Sequence, residues 1–287
     1  MTASGPAAAL TAWYAYLPGP DAPPAERART VLGRKGLLYK ETATRLALCA
    51  VHRALGRADG DGTPPDRVDP RTAVVASSNL GNVGTVAGIV TTARADGWRA
   101  VSPLSAPNAS PNVVASSVAI WFGFGGPNLM CCSGATSGLD ALAAGLRLLA
   151  AGRAGRVVVV GAEPDDDIAV ALHATRPDRP GPLRAGAACL VLEPLDRVPA
   201  PHLVVGPVRT VPGDPPDGHG TGGEGGHYGA DGLVPVALAA DALRAPGGPA
   251  VVEVRCGDDE DGFRAVTVRA APDPGPAPRS DSREETR

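Results

Sequence analysis

Aromatic residues make up only 3% of the 287-residue chain, so its interior has to be assembled from Ala, Val and Leu. Lysine is scarcer still: Lys35 and Lys40 are the two in the chain, and every other basic side chain apart from histidine is arginine. A net charge of −3 supplies neither the basic surface that a nucleic acid needs nor a polybasic membrane patch. Neither partner is expected. No apolar run reaches the roughly 20 residues of a membrane span. The apolar stretch at residues 7–17 is followed by its first basic residue only at Arg27, whereas a secretory signal carries positive charge ahead of its apolar run. The cysteines, Cys49, Cys131, Cys132, Cys189 and Cys256, are odd in number and hold no C-x-x-C pair. That argues against a disulfide framework and for a reducing, cytoplasmic compartment. No His/Cys cluster has zinc spacing and no G-x-x-x-x-G-K-[ST] loop occurs. No metal and no cofactor are expected. Nor is there a repeat of solenoid length.

Glycine (37) and proline (30) are abundant and imply many turns. The excess of Arg, Ala, Gly and Pro reads as a GC-rich coding background and carries no functional information. The pattern along the chain predicts strands at 8–17, 73–78, 127–133, 156–161, 186–193 and 203–208, with two closing strands at 250–256 and 264–269. It predicts helices at 40–56, 83–97, 112–122, 137–151 and 232–244. Residues 21–29, 59–71, 165–167 and the Gly-rich 211–231 read as loops. The polar, Pro-rich 272–287 reads as a disordered tail. Strands alternating with helices, without a hairpin signal among the early ones, predict a layered α/β fold with a mainly parallel sheet.

One stretch carries chemistry. "GPNLMCCSGATSGLDAL" (126–142) reads as a strand, a tight small-residue turn and a helix start. Such an elbow sets its central residue at a helix N-terminus, where free N–H groups and the dipole lower a thiol pKa and stabilise an oxyanion. The turn here offers Ala135, which has no nucleophilic atom. Thr136 and Ser137 read as helix caps, with Ser137 and Asp140 as an S-x-x-D capping pair. Cys131 and Cys132 read as small buried strand residues, Cys49 and Cys189 as core, and Cys256 as partly exposed. The acidic run 258–261 reads as a solvated hairpin turn, and His52, His173 and His202 as structural.

The elbow resembles the active-site segment of the β-ketoacyl synthases, the thiolase-fold condensing enzymes of fatty-acid and polyketide assembly, which reads G-P-x-x-x-x-x-T-A-C-S-[SA]-[GS]-x-x-A-L. Gly126-Pro127, Ser137-Gly138 and Ala141-Leu142 match; Gly134 takes the family's alanine position and Ala135 that of its nucleophilic cysteine. Residues 32–48, 102–128, 151–163 and 184–195 are similar as well, most of all to chain-length-factor-like members. Further on, "HGTGG" (219–223) and "GGHYGADGLVPVALAADAL" (225–243) each resemble one histidine motif, yet His219 and His227 lie only eight residues apart, and the family's motif lysine is missing. His227, followed by a helix, is the better remnant.

The resemblance implies a thiolase-like fold with a well-formed first half (1–198) and a shortened second half (199–271). It implies a non-condensing, chain-length-factor-like subunit that pairs with a catalytic ketosynthase or an acyl carrier protein, as a homo- or heterodimer joined through 127–133 and 112–122. It also implies Ala135 as a degenerate nucleophile position, His227 as a possible remnant, and Gly134, Thr136, Ser137 and Phe263 as substrate-binding positions. One alternative is an acyltransferase or cyclising enzyme of altered chemistry, with His227 as acid/base and the elbow N–H groups as oxyanion site. Another is a carrier-binding scaffold.

Overall fold

The computed structural model describes residues 5–177, 181–199, 203–213 and 226–271. His202, the "HGTGG" stretch with His219, and the tail 272–287 lie outside them. The chain begins with a strand, β1 (Ala8–Tyr16), followed by two helices, α1 (Ala28–Leu32) and α2 (Thr42–Ala54). Next come β2 (Thr72–Ser77), α3 (Val83–Asp96), α4 (Val113–Phe122), β3 (Asn128–Cys131) and α5 (Ser137–Ala150). Then follow β4 (Arg156–Glu163), α6 (Asp167–His173), β5 (Gly186–Glu193), β6 (Leu203–Val205), β7 (Arg209–Val211), α7 (Leu233–Arg244), β8 (Val251–Asp258) and β9 (Gly262–Ala270). All predicted helices and strands form, with shifted ends. Two short helices, α1 and α6, were not predicted; each begins at the end of an expected loop and runs on into residues given no element. Asp166 opens α6 by accepting hydrogen bonds from the Ile168 and Ala169 N–H groups, the ordinary role of aspartate at a helix start.

Among the described residues nine strands form one sheet in the order β3-β2-β4-β5-β1-β6-β9-β7, with β8 on β9. β8 pairs along the whole of β9, while β6 and β7 each take one part of it, so those two share its opposite edge. The expectation of a mainly parallel sheet fails. Only β2–β3 and β2–β4 are parallel; β4–β5, β1–β5, β1–β6 and every pairing of β9 are antiparallel. The reason is long-range. β5 returns antiparallel to β4 through residues 164–185, and β1, first in sequence, inserts between β5 and β6.

Alternation along the central strands feeds two cores. Ala73, Val75, Val157, Val159, Leu190 and Leu192 face one way and pack with α5 and α7. Val74, Ala76, Val158, Val160, Cys189 and Val191 face the other and pack with α1, α2 and α4. Period-two side chains on a sheet covered on both faces explain why β2, β4 and β5 read as continuous apolar runs. The largest buried side chains are nearly all leucines, with Tyr16 the exception among the aromatics, as the aromatic-poor composition requires.

Candidate functional site at the strand–helix elbow

The elbow forms as its small residues suggest. Edge strand β3 ends at Cys131, a short 3-10 turn covers Gly134–Thr136, and α5 starts at Ser137. Gly134 has φ of +66°, the left-handed region in which glycine carries no Cβ penalty. Ala135 and Thr136 are buried, and so is Ser137.

The hydroxyls do not cap the helix in the expected way. Ser137 Oγ accepts from the Ser133 N–H at 2.7 Å and lies 2.8 Å from the Gly134 carbonyl and 3.0 Å from Asn79 Oδ1. The Ser137–Asp140 pair does not form. Thr136 and Ser133 donate their hydroxyl protons to Asp140 Oδ2, both at 2.7 Å, and the other oxygen of Asp140 takes Arg264 Nε at 3.0 Å. Asn79 adds a clasp. Its Nδ2 donates to the Gly134 carbonyl at 2.9 Å and its Oδ1 accepts from the Gly134 N–H at 3.2 Å.

Asn79 is held from below by Glu163, the last residue of β4. This carboxylate is fully buried. It accepts the Ser78 hydroxyl at 2.7 Å, the Asn79 N–H at 3.0 Å and the Leu80 N–H at 2.8 Å. Burial outweighs those three bonds and pushes its pKa up to about 8.

The N–H of Ala135, at the position matched to the nucleophile, is also taken. It donates to Asp261 Oδ2 at 2.8 Å. Asp261 comes from the β8–β9 turn, which was expected to be solvated; Asp259 and Glu260 are exposed as expected, whereas Asp258 and Asp261 turn inward and are half-buried. Arg176 lies 2.6 Å from Asp258 and 3.2 Å from Asp261. Its guanidinium covers the Tyr228 ring at 4.6 Å and bonds the Tyr228 hydroxyl. Tyr228 has φ of +42°, a costly conformation for a bulky residue, and this Arg176 contact helps to hold it there.

Tyr228 follows His227 on the turn before α7, and that turn docks against the elbow backbone. A Cβ on Gly138 would meet Gly232 N at 2.9 Å, and one on Gly229 would meet Asn79 Nδ2 at 2.9 Å. The tertiary structure thus brings together the elbow and the 226–233 turn, the two stretches singled out in the sequence. His227 itself is engaged elsewhere. Its Nδ1 lies 3.0 Å from the Arg184 carbonyl, and its N–H donates to the half-buried Asp231 carboxylate at 2.6 Å. Phe263 opens β9 opposite Val211 and Gly257, with its ring beside Gly213.

The cysteines correct the sequence reading. Cys132 is exposed, Cys131 is half-buried at the sheet edge, and Cys256 is buried against Gly232. Desolvation, with smaller contributions from Asp140 and Cys132, pushes the Cys131 thiol up to about 11. Desolvation, with Glu163 adding to it, raises Cys132 as well. Neither is set up as a thiolate nucleophile. Among the described residues no group of three or more His, Cys, Asp or Glu side chains is placed to hold a metal ion. The Asp261 contact had one trace in the sequence, the glycine at 134 in place of the resembled alanine. Arg176 had none.

Residues 39–177 match the family model of the β-ketoacyl synthase N-terminal domain. No curated protein matches. Solved structures do. One described as the ishigamide ketosynthase/chain length factor is 18% identical, with a TM-score of 0.72 over 93% of this chain and 100% of the other. A type II polyketide synthase ketosynthase in complex with its acyl-carrier protein, AntDE:AntF, is 13% identical with a TM-score of 0.68 over 93% and 100%. A β-ketoacyl synthase from Burkholderia phymatum STM815 is 14% identical with a TM-score of 0.63 over the same shares. At these identities the likeness establishes the fold, which is the thiolase-like α/β fold of ketosynthases.

Proposed function

From a chain that carries a β-ketoacyl synthase N-terminal domain over residues 39–177, we propose a non-condensing, chain-length-factor-like subunit that works beside a catalytic ketosynthase in fatty-acid or type II polyketide assembly. The observation that carries this reading is the elbow. Its geometry is retained, while the position of the reactive thiol is Ala135, nine per cent exposed and without a nucleophilic atom. In this reading residues 1–198 are the ketosynthase-like half and 199–271 the shortened second half.

Surface composition supports a partner. β3 is the outer strand of the sheet, and an open edge is a template for pairing with a second chain. Leu129 on β3 is 42% exposed and Ile120 on α4 is 81% exposed. The 14-residue α3, VGTVAGIVTTARAD, buries none of its residues. Trp98 and Leu104, which follow it, are also exposed. Apolar side chains left exposed on these elements are of the kind found at an interaction surface. An acyl carrier protein fits the same reading, delivering its thioester to the partnered ketosynthase.

The altered-chemistry alternative needs a free elbow N–H and an available His227. The Ala135 N–H is bonded to Asp261 and the His227 ring to Arg184, which favours the non-condensing reading. Intact-mass analysis after incubation with acyl-coenzyme A and acyl-carrier thioesters tests it, paired with size-exclusion light scattering of this chain mixed with a catalytic ketosynthase. The expected outcome is no acyl adduct and a mixed dimer. A stable adduct on Cys131, Cys132 or a nearby hydroxyl would move the chain to the acyltransferase class.

A further inference from the structure

The two departures at the elbow, glycine at 134 and alanine at 135, both lie against one carboxylate. Asp261 Oδ2 accepts the Ala135 N–H at 2.8 Å. The carboxylate rests directly on the Gly134 Cα, so that a Cβ at 134 would collide with Asp261 Oδ1, Cγ and Oδ2 alike. Gly134 therefore provides both the left-handed turn and the room for the carboxylate. Two further N–H groups of the turn are taken up as well, Ser133 by Ser137 Oγ and Gly134 by Asn79 Oδ1. An anion at a helix N-terminus is favoured by the dipole and the unpaired donors there, and in this protein the anion comes from the chain itself.

The turn that presents Asp261 is built to hold it. Asp258 Oδ1 accepts the Glu260 N–H at 3.1 Å and the Asp261 N–H at 2.7 Å, folding the acidic run back on itself. Arg176 then lies against three of its carboxylates, Asp258 at 2.6 Å, Asp261 at 3.2 Å and Glu260 at 3.8 Å. Its own side chain is only 12% exposed and those of Asp258 and Asp261 are 19% and 23%. At such exposure charge-assisted hydrogen bonds are stronger than surface pairs. Behind Arg176 stands Tyr228, and next to Tyr228 is His173, with ring centroids 5.0 Å apart.

We infer that the β8–β9 turn is an internal plug: the Asp261 carboxylate, clamped by Arg176, occupies the elbow N–H where a thioester carbonyl oxygen would bind, and closes that position to acyl substrates. The inference goes beyond the loss of the nucleophile. Restoring a thiol at 135 would not by itself restore a reactive elbow, because the thiol would share its space with a fixed negative charge. The carboxylate both shields a thiol there and disfavours its thiolate.

The test installs that thiol and measures it. Ala135→Cys is made in a Cys132→Ser background, alone and together with Asp261→Ala. Iodoacetamide labelling is followed by peptide fragmentation, so that the introduced thiol and Cys131 are read separately. Circular dichroism melting confirms that each chain is folded. Removing the carboxylate should raise the labelling rate of the introduced thiol about tenfold or more, the direction expected when an adjacent anion and its shielding are lost. Arg176→Met, which loosens the turn without touching the elbow, should give a smaller increase in the same direction, and it carries the test if the Asp261 variant does not fold. Labelling at position 135 at the same rate with and without Asp261, or with and without Arg176, would overturn the plug. The readout needs no partner subunit, so its failure is distinct from failure of the chain-length-factor reading.

Discussion

Glu163 is the residue on which the elbow rests. It reaches Ser78, Asn79 and Leu80, and through Asn79 it reaches Gly134 and Ser137. Its carboxyl is held up to about 8 by burial, above the ordinary value of about 4.3 for glutamate. Between these two values the folded chain holds a proton that the unfolded chain has released, so stability falls as pH rises through that window. The contribution is fully present below about pH 4 and gone above about pH 8. Glu163→Gln keeps the shape and removes the titration. The melting temperature of the native chain should therefore decline against that of Glu163→Gln from about pH 5 to pH 8 and run parallel to it above, which a series of melts across that range would show. A constant difference at all pH values would mean that Glu163 is ionised throughout.

At the scale of elements, the elbow helix α5 and the turn before α7 meet backbone to backbone. Gly138 and Gly232 make that possible. A Cβ on Gly138 would sit 2.9–3.0 Å from Gly232 N, Gly232 Cα and Leu233 N. Gly138→Ala pits two effects against each other. Helix propensity favours alanine by about 1 kcal/mol, whereas overpacking against backbone that cannot rotate aside costs about 1–3 kcal/mol. The crowding should win. The variant should melt several degrees lower, and Tyr228, strained at φ of +42°, should lose amide-exchange protection first. A melting temperature at or above that of the native chain would show that the two elements can part freely. The α3 helix shows the same dependence on distant residues. Its N-cap, Asn82, makes no side-chain capping bond, and Glu41, ahead of α2, accepts the Thr85 N–H at 2.6 Å instead.

For the whole molecule the question is what covers β3, α3 and the outer face of α4. Among the described residues no helix is long and apolar enough to cross a membrane, and apolar side chains stand exposed on β3 and α4 at one edge of the sheet. Ile120→Asp and Leu129→Arg change residues that the single chain leaves exposed. Each should change the stability of the isolated chain by under about 0.5 kcal/mol while weakening assembly with a ketosynthase by about tenfold or more. Thermal melts of the isolated chain, with light scattering and titration calorimetry of the mixture, would measure both. Equal assembly in the variants would place the interface elsewhere.

Much of this was legible along the chain. The continuous apolar runs at β2, β4 and β5 announced strands buried on both faces, and the leucine stripe 139, 142, 146 and 149 announced the inward face of α5. The 126–142 stretch announced an elbow, because a strand, a small-residue turn and a helix are local features that a short window contains. Other features depend on chain segments far apart. The antiparallel return of β5, the insertion of β1 beside it, and Arg176 lying 3.2 Å from Asp261 across 85 positions leave no periodic signal. Composition and local pattern determined the α/β class, the element types and the small-residue elbow with alanine at its turn. The tertiary structure alone decided which strands became edges, which carboxylate reached the elbow N–H, and where His227 turned, because each of these follows from the closing of loops whose ends meet only in the folded chain.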